Sequence, residues 1–292
     1  LISEACLDRE LILGRPFLIQ YVDSSLLIYD DIGDSLFLLV DLKENDRVYR
    51  FGQKGEGNNE FLQVFAFCNM KSDSILGVYD AYKHELREIN LDKVKRGEMN
   101  FPVVFKDTLS SIKLSPTKYD AYLGLGFYES NMLSLTDNSI GSKFFFEYPY
   151  KDSREKAISN RLRGMAYQGT LCSNRSLDKF LYAVCSAPIF MLFSVNKDGI
   201  EKTYELIGGY PNYVTEETGE YRSAPMSADN KMSFTMAYAT DNYIYLLYSG
   251  KNFRDAGMDD YPLTNFCVSD NDDVLYALAD KGEVELVQYT LK

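Results

Sequence analysis

His84 is the single histidine in a chain of 292 residues, so a metal site built on several imidazoles has nothing to draw on. It lies in AspAlaTyrLysHisGlu between two β-patterned runs, where an exposed turn residue is the plain expectation. No GlyXaaSerXaaGly elbow offers a serine nucleophile. Carboxylates are abundant, 43 in all, and two of them brought together by the fold could cleave a glycosidic bond. Sequence does not say which two.

Binding chemistry has more candidates. The run SerArgGluLysAlaIleSerAsnArgLeuArg, 153–163, is expected to form a short amphipathic helix with Ile158 and Leu162 on one face. Its Arg154, Arg161 and Arg163 suit a carboxylate or phosphate, because a guanidinium fork matches a planar anion. Solvated capping by the same side chains is the plainer alternative. The run 208–222 mixes Tyr210, Tyr213 and Tyr221 with Glu216, Glu217 and Glu220 and ends at Arg222. Aromatic faces beside carboxylates suit a sugar or a cation. The run lacks the alternating acids of a calcium loop, and the chain has no tryptophan to build a strong sugar platform. The glycine-rich run GlyGlnLysGlyGluGlyAsnAsnGluPhe, 52–61, superficially suggests a phosphate cradle. However, Gly57 is followed by Asn58 and Asn59, and Glu60 stands where GxGxxG needs its third glycine. A turn in which Gly52, Gly55 and Gly57 supply positive φ is expected instead.

Composition removes whole classes of partner and cofactor. The formal charge is −12, from 31 basic and 43 acidic side chains, and LysValLysArg at 93–96 is the longest basic block. Nucleic acid, whose binding needs clustered cations, is therefore not an expected partner. Five cysteines, Cys6, Cys68, Cys172, Cys185 and Cys267, are dispersed without a CxxC pair, against a zinc knuckle or a disulfide framework. Cys172 and Cys185 flank one expected hairpin and are placed to pair in an oxidising compartment; buried free thiols are the alternative. Neither a metal nor a cofactor is expected. No apolar run reaches the roughly 20 residues of a membrane-spanning helix. LeuIleSerGluAlaCys at the start has neither a charged leader nor an apolar core, so an export signal is expected to have been removed or never to have existed.

The elements that must position these residues are strands. Six β-patterned segments opened by polar turns recur at 25–30, 74–80, 121–127, 179–184, 242–248 and 273–278. Self-similarity at a period near 50 residues marks small sheets repeated radially, so the expected fold is all-β, a six-bladed β-propeller in one domain over 1–292. The 23 Tyr and 18 Phe fit pleated surfaces, and no linker divides the chain. A domain of this size buries about 75% of the surface its unfolded chain exposes and needs no disulfide.

The first four repeats parse into four strands each, starting with 17–22, 26–29, 36–41 and 47–51. The second strands of repeats five and six are only about 30 residues apart, too close for a full blade. Either the fifth blade has lost its outer strands or residues after Lys251 are missing; the second is favoured, because an open blade exposes its edge. Repeat six supplies three strands, 266–269, 274–278 and 285–290, and ArgGluLeuIleLeu at 9–13 is expected to add the fourth and close the ring.

ArgPheGlyGlnLysGlyGluGlyAsnAsnGluPhe at 50–61 resembles the FGxxGxGPxEF turn of TolB-like six-bladed propellers, common among lipoproteins of gut Gram-negative bacteria. PheProValVal at 101–104, PheGluTyrProTyr at 146–150, AlaTyrGlnGly at 166–169 and IleTyrLeuLeuTyrSerGlyLys at 244–251 resemble that family in the same order. The resemblance spans essentially the whole chain. Asn58 stands where the family has proline, and no strand like IleHisValPheAspTrp follows SerGlyLys, in agreement with a short fifth blade. The resemblance implies a six-bladed fold and export to the periplasm or outer membrane, with a lipid anchor upstream. It implies no reaction.

Loops joining one blade to the next share a face, and the long ones, 52–60, 151–167 and 207–231, are where a ligand is sought. The expected ligand-binding residues are Arg161, Arg163, Tyr213, Tyr221 and Arg222, at the channel mouth. The leading expectation is a non-enzymatic cell-envelope propeller that binds a partner protein or a small ligand, carbohydrate or peptide. The alternative is a carboxylate-based hydrolase or lyase acting on carbohydrate or peptide. Buried acids clustered with tyrosines favour the alternative, and a flat apolar rim favours protein binding.

Overall fold

The computed structural model describes residues 4–6, 11–32, 35–44, 46–137, 141–218, 221–255, 263–280 and 282–291. The chain forms two compact units, Leu1–Thr108 with Asp260–Lys292, and Leu109–Asp259. No helix among the described residues is long and apolar enough to cross a membrane.

The first unit holds three four-stranded antiparallel sheets. Pro16–Val22, Ser25–Asp30, Phe37–Asp41 and Arg47–Phe51 make the first sheet, in chain order. SerLeuLeuIleTyrAsp is buried at every position, because a second strand covered on both faces reads as a continuous apolar run rather than an alternation. The second sheet is Val64–Asn69, Ile75–Asp80, Glu85–Asn90 and Val103–Lys106, with the short helix α1, Leu91–Lys95, capped by the Asn90 side chain. In the last sheet, Asn265–Val268, Val274–Asp280 and Val284–Thr290 are joined by Glu4–Cys6, with Glu4 opposite Tyr289 and Cys6 opposite Val287. The N-terminal segment thus pairs with the last sheet, but not through 9–13. Residues 11–13 lie in no strand, and Arg9 and Glu10 fall outside the described residues. The chain before Pro16 is already engaged by the neighbouring strand: the Gly14 and Arg15 N–H groups donate to Asp30 at 2.6 and 2.8 Å.

Asp30 belongs to a repeated device. Two second strands end in TyrAsp, and each buried carboxylate gathers the N–H groups of the segment entering its sheet and of the turn that follows. Asp80 accepts from Leu62 at 2.6 Å, Gln63 at 3.2 Å, and Tyr82 and Lys83 at 3.1 Å. Run 52–61 is tied down from the same side. Lys83 Nζ donates to the carbonyls of Gly57 and Glu60 at 2.9 and 2.7 Å, and buried Arg87 donates to those of Asn58 and Phe101. Of its three glycines only Gly52 has positive φ, +75°, and a Cβ there would stand 2.5 Å from the Phe37 ring. At Gly55 and Gly57 the Glu60 carboxylate, which accepts the Gly57 N–H at 2.8 Å, occupies the space instead.

The second unit contains the third sheet, Lys113–Pro116, Ala121–Leu125, Leu133–Asp137 and Gly141–Phe145, and the fourth, Gly169–Ser173, Lys179–Val184, Ile189–Val195 and Ile200–Ile207. The fifth sheet has two strands among the described residues, Phe234–Ala239 and Ile244–Tyr248. The last strand of the third sheet ends at Phe145, because Phe146 takes φ 51° and Tyr148 turns into the core. That core is built on Tyr148, Tyr167, Phe180, Tyr182 and Phe193, all essentially inaccessible to solvent. Cys172 lies opposite Leu181, while Cys185 follows Val184, which faces Gly169. The two thiols are thus about 13 Å apart along the strands and cannot bridge. Cys68, Cys172, Cys185 and Cys267 are free, and burial pushes the Cys172 thiol up to about 12.

Candidate functional site

Segment 151–167 forms two short helices rather than one. Asp152 caps α2, Ser153–Lys156, by accepting the Arg154 and Glu155 N–H groups at 2.9 Å, and Ser159 restarts the chain as the cap of α3, Asn160–Ala166. Ile158 therefore sits in the break and not one helical turn from Leu162. Asn160 anchors the second helix with every polar atom of its amide. Its Oδ1 accepts the Tyr148 N–H at 2.7 Å, and its Nδ2 donates to the carbonyls of Tyr128 and Asn131 at 3.1 and 2.9 Å.

Arg163 is 1% exposed and acts as the tie of this insert. Its Nη1 donates to the carbonyls of Lys156 and Ile158 at 2.9 and 3.1 Å, and its Nη2 to Glu147 at 2.7 Å. The guanidinium also stands 5.3 Å from the Tyr150 ring, which Lys156 approaches at 5.0 Å. Sequence placed Arg163 among ligand-binding residues; the structure places it beneath the surface, where both Nη atoms are taken up by the carbonyls of Lys156 and Ile158 and by Glu147. Arg161, two positions away, is exposed on α3.

Segment 207–231 is a ribbon more than a loop. Tyr213 bridges to Met226, Glu216–Thr218 pairs with Tyr221–Ser223, and Tyr221–Ser223 packs against α3. Asn230 pins its base, accepting the Asn212 N–H at 2.8 Å and donating to the Ser186 carbonyl at 3.0 Å. Tyr221 and Arg222 are exposed, and Arg222 lies 3.8 Å from Glu217. Glu220 lies outside the described residues.

Where the helices meet the ribbon there is a cleft of about 400 Å³ lined by Lys151, Arg154, Glu155, Ile158, Tyr213 and Val214. Glu155, at its floor, is 4% exposed and accepts from the Lys151 N–H and, at 3.0 Å, from the Tyr167 hydroxyl. Burial, and next the Glu155 charge, hold the Tyr167 hydroxyl far above tyrosine's ordinary range. Tyr213 packs edge-on to Tyr167 at 6.3 Å, and its shielded hydroxyl, near Glu155, makes no hydrogen bond of good geometry among the described residues. Burial and then Glu155 push that hydroxyl up as well. Lys151, Arg154 and Arg161 are exposed, and Asp152 lines the cleft beside the first two. The site therefore offers cations and aromatic surface at its rim and a neutral phenol over a buried carboxylate beneath.

Two other groups matter chemically. His84 is half-buried in the turn between Ile75–Asp80 and Glu85–Asn90, with φ 53° and a shielded Nδ1 that lacks a partner, so it is less exposed than its polar neighbours suggest. Lys113, in the first strand of the third sheet, went unnoticed in the sequence, because burial alone pushes its ammonium down to about 8. In a carbon-13 NMR titration of methylated lysines, Lys113 is expected to titrate near pH 8 while exposed lysines titrate above about 10. A midpoint with the others would mean that its ammonium remains hydrated. No group of His, Cys, Asp and Glu that could hold a metal occurs among the described residues.

Comparison with known proteins places this geometry on a familiar scaffold. The model of a family described as TolB-like 6-blade propeller-like matches residues 3–272. None of the curated proteins matches the sequence. Among solved structures, a Bacteroides fragilis NCTC 9343 protein described as exported is 12% identical, with 100% of this chain and 95% of that one covered and a TM-score of 0.59. An auxiliary nutrient binding protein of Bacteroides thetaiotaomicron VPI-5482 is 7% identical over 96% of this chain and 70% of its own, with a TM-score of 0.56. A luciferin-regenerating enzyme is 10% identical over 99% and 95%, with a TM-score of 0.51. At such identities the likeness concerns the propeller fold alone, and that fold serves both binding proteins and enzymes.

Proposed function

Because the chain belongs to the TolB-like 6-blade propeller-like family, we propose that it is a cell-envelope propeller that binds an acidic ligand, a peptide or carbohydrate, without transforming it. In this reading the chain is a single six-bladed domain with a two-stranded fifth blade, its ring closed by Glu4–Cys6 on the last sheet. Export, with a lipid anchor upstream, fits the exported and nutrient-binding descriptions of its Bacteroides fold neighbours. The observation that carries the reading is the rim of the cleft: Lys151 and Arg154 stand exposed there beside Asp152, whose carboxylate is taken up in capping α2, and Arg161 is exposed on α3, in a protein of net charge −12. Exposed cations beside Tyr213, with the exposed Tyr221 on the neighbouring ribbon, suit a carboxylate-bearing chain.

The Glu155, Tyr167 and Tyr213 cluster favours a second reading, a carboxylate-based hydrolase or lyase. Against it, Glu155 is engaged by Tyr167, the neighbouring Glu147 by Arg163, and Asp152, which also lines the cleft, by the Arg154 and Glu155 N–H groups that it caps. Calorimetric titration with hexa-aspartate and with hexagalacturonate separates the two. Saturable binding of one of them is expected, weakened about tenfold, or roughly 1.4 kcal/mol, by the double substitution Arg154→Ser and Arg161→Ser. Recovery of the ligand intact supports binding alone, shortened oligomers support the enzyme, and absence of binding to both overturns the acidic-ligand reading.

A further inference from the structure

Glu155 is a buried carboxylate that forms no ion pair among the described residues. One of its oxygens accepts the Lys151 N–H and the other the Tyr167 hydroxyl. The buried guanidinium of Arg163 does not serve it, being taken up by the Lys156 and Ile158 carbonyls and by Glu147. The residues of Leu109–Asp259 outside the described ones include no lysine or arginine. A carboxylate withdrawn from water is usually paired with a cation, because two hydrogen bonds offset only part of the hydration it gives up.

Glu155 lines the cleft, so the missing cation has a way in. Burial orders the lining residues by depth: Lys151, Asp152 and Arg154 are exposed at the rim, Tyr213 and Ile158 are half-buried, and Glu155 is at the floor. Asp152 is engaged in capping α2. From rim to floor the surface thus runs from cationic through apolar to anionic. A ligand carboxylate stops at the rim, since two carboxylates brought together away from water repel strongly. What fits below it is an ammonium on an apolar stem, the make-up of a lysine side chain. The Tyr213 ring favours a cation there as well. A sugar ring suits these walls less, because its several hydroxyls would face the Ile158 side chain.

Building on the acidic-ligand reading of this same cleft, we infer that it takes a peptide in which a lysine lies beside an acidic residue, the acid held at the rim by Lys151 and Arg154 and the lysine ammonium seated on Glu155. Opposite charges on neighbouring residues of the ligand match opposite charges at the two depths of the cleft. A purely acidic chain uses only the upper half.

The test is calorimetric titration of the full chain with two end-blocked hexapeptides, one alternating aspartate with lysine and one alternating aspartate with norleucine, which keeps the stem and lacks the ammonium. The lysine peptide is expected to bind about tenfold tighter. That ratio should hold between about 0.15 and 0.5 M salt, because contact with a buried carboxylate is screened far less than attraction to the net charge of the protein. In Glu155→Gln, which keeps the shape of the side chain and one acceptor oxygen, the two peptides should bind alike. Equal affinities for the parent protein, a ratio that vanishes at the higher salt, or one that survives in folded Glu155→Gln would each overturn the seating of lysine on Glu155. Tighter binding of hexagalacturonate than of the lysine peptide would make a carbohydrate the occupant and overturn the peptide. Binding of none of the three would overturn the acidic-ligand reading itself.

Discussion

Asp80→Ala is expected to destabilise the protein by about 3–5 kcal/mol, close to the upper limit for one substitution. The carboxylate is fully buried and receives four backbone N–H groups, from Leu62, Gln63, Tyr82 and Lys83. Alanine removes the acceptor of all four donors at once, and an orphaned buried donor costs about 1–3 kcal/mol. Asp80→Asn keeps the volume and one acceptor oxygen, so it should retain about half of the stability lost in alanine. Urea unfolding followed by tyrosine fluorescence measures both. A loss below about 1 kcal/mol in Asp80→Ala would show that the strand-entry segment is held by packing and not by the carboxylate.

Arg163→Met is expected to cost about 3 kcal/mol and to loosen the insert that forms the candidate site. Methionine fills much of the volume but strands the carbonyls of Lys156 and Ile158, which the guanidinium now satisfies. Glu147 is 42% exposed on its side chain and can return to water, which keeps the cost at the lower end of the range for a broken buried pair. Arg163→Lys should rescue little, because one ammonium cannot reach two carbonyls and a carboxylate in the fork geometry. Amide exchange is the direct readout: protection over 153–166 should collapse while the third and fourth sheets stay protected. Preserved protection in Arg163→Met would return Arg163 to the list of side chains available to a ligand.

The same residue shows how far the candidate site was legible in the sequence. Arg161 and Arg163 look alike in a local reading, both basic and both in a polar run. One is exposed and the other is 1% exposed, and the difference is made by Glu147, Tyr150 and the carbonyls before α3. Glu155 was one carboxylate among 43 until the helix turned it onto Tyr167. Tyr213 was picked out by its aromatic ring, and the structure adds a shielded hydroxyl beside Glu155. Ile158 was misassigned because Ser159, a good helix cap, restarts the helix after it.

What the sequence determined by itself was the strands. Polar turns, apolar runs such as SerLeuLeuIleTyrAsp and the TyrAsp endings are local signals, and local backbone preference decides them before any distant contact forms. The spacing of the repeats likewise left no room for a full fifth blade, of which two strands stand among the described residues. Tertiary structure alone decided which strand completes the last sheet. Asp30 claims the segment before Pro16 and leaves Glu4–Cys6 to pair with Val284–Thr290. It also decided which charges are buried and which face a ligand, because the desolvation of a side chain depends on partners far away in the chain.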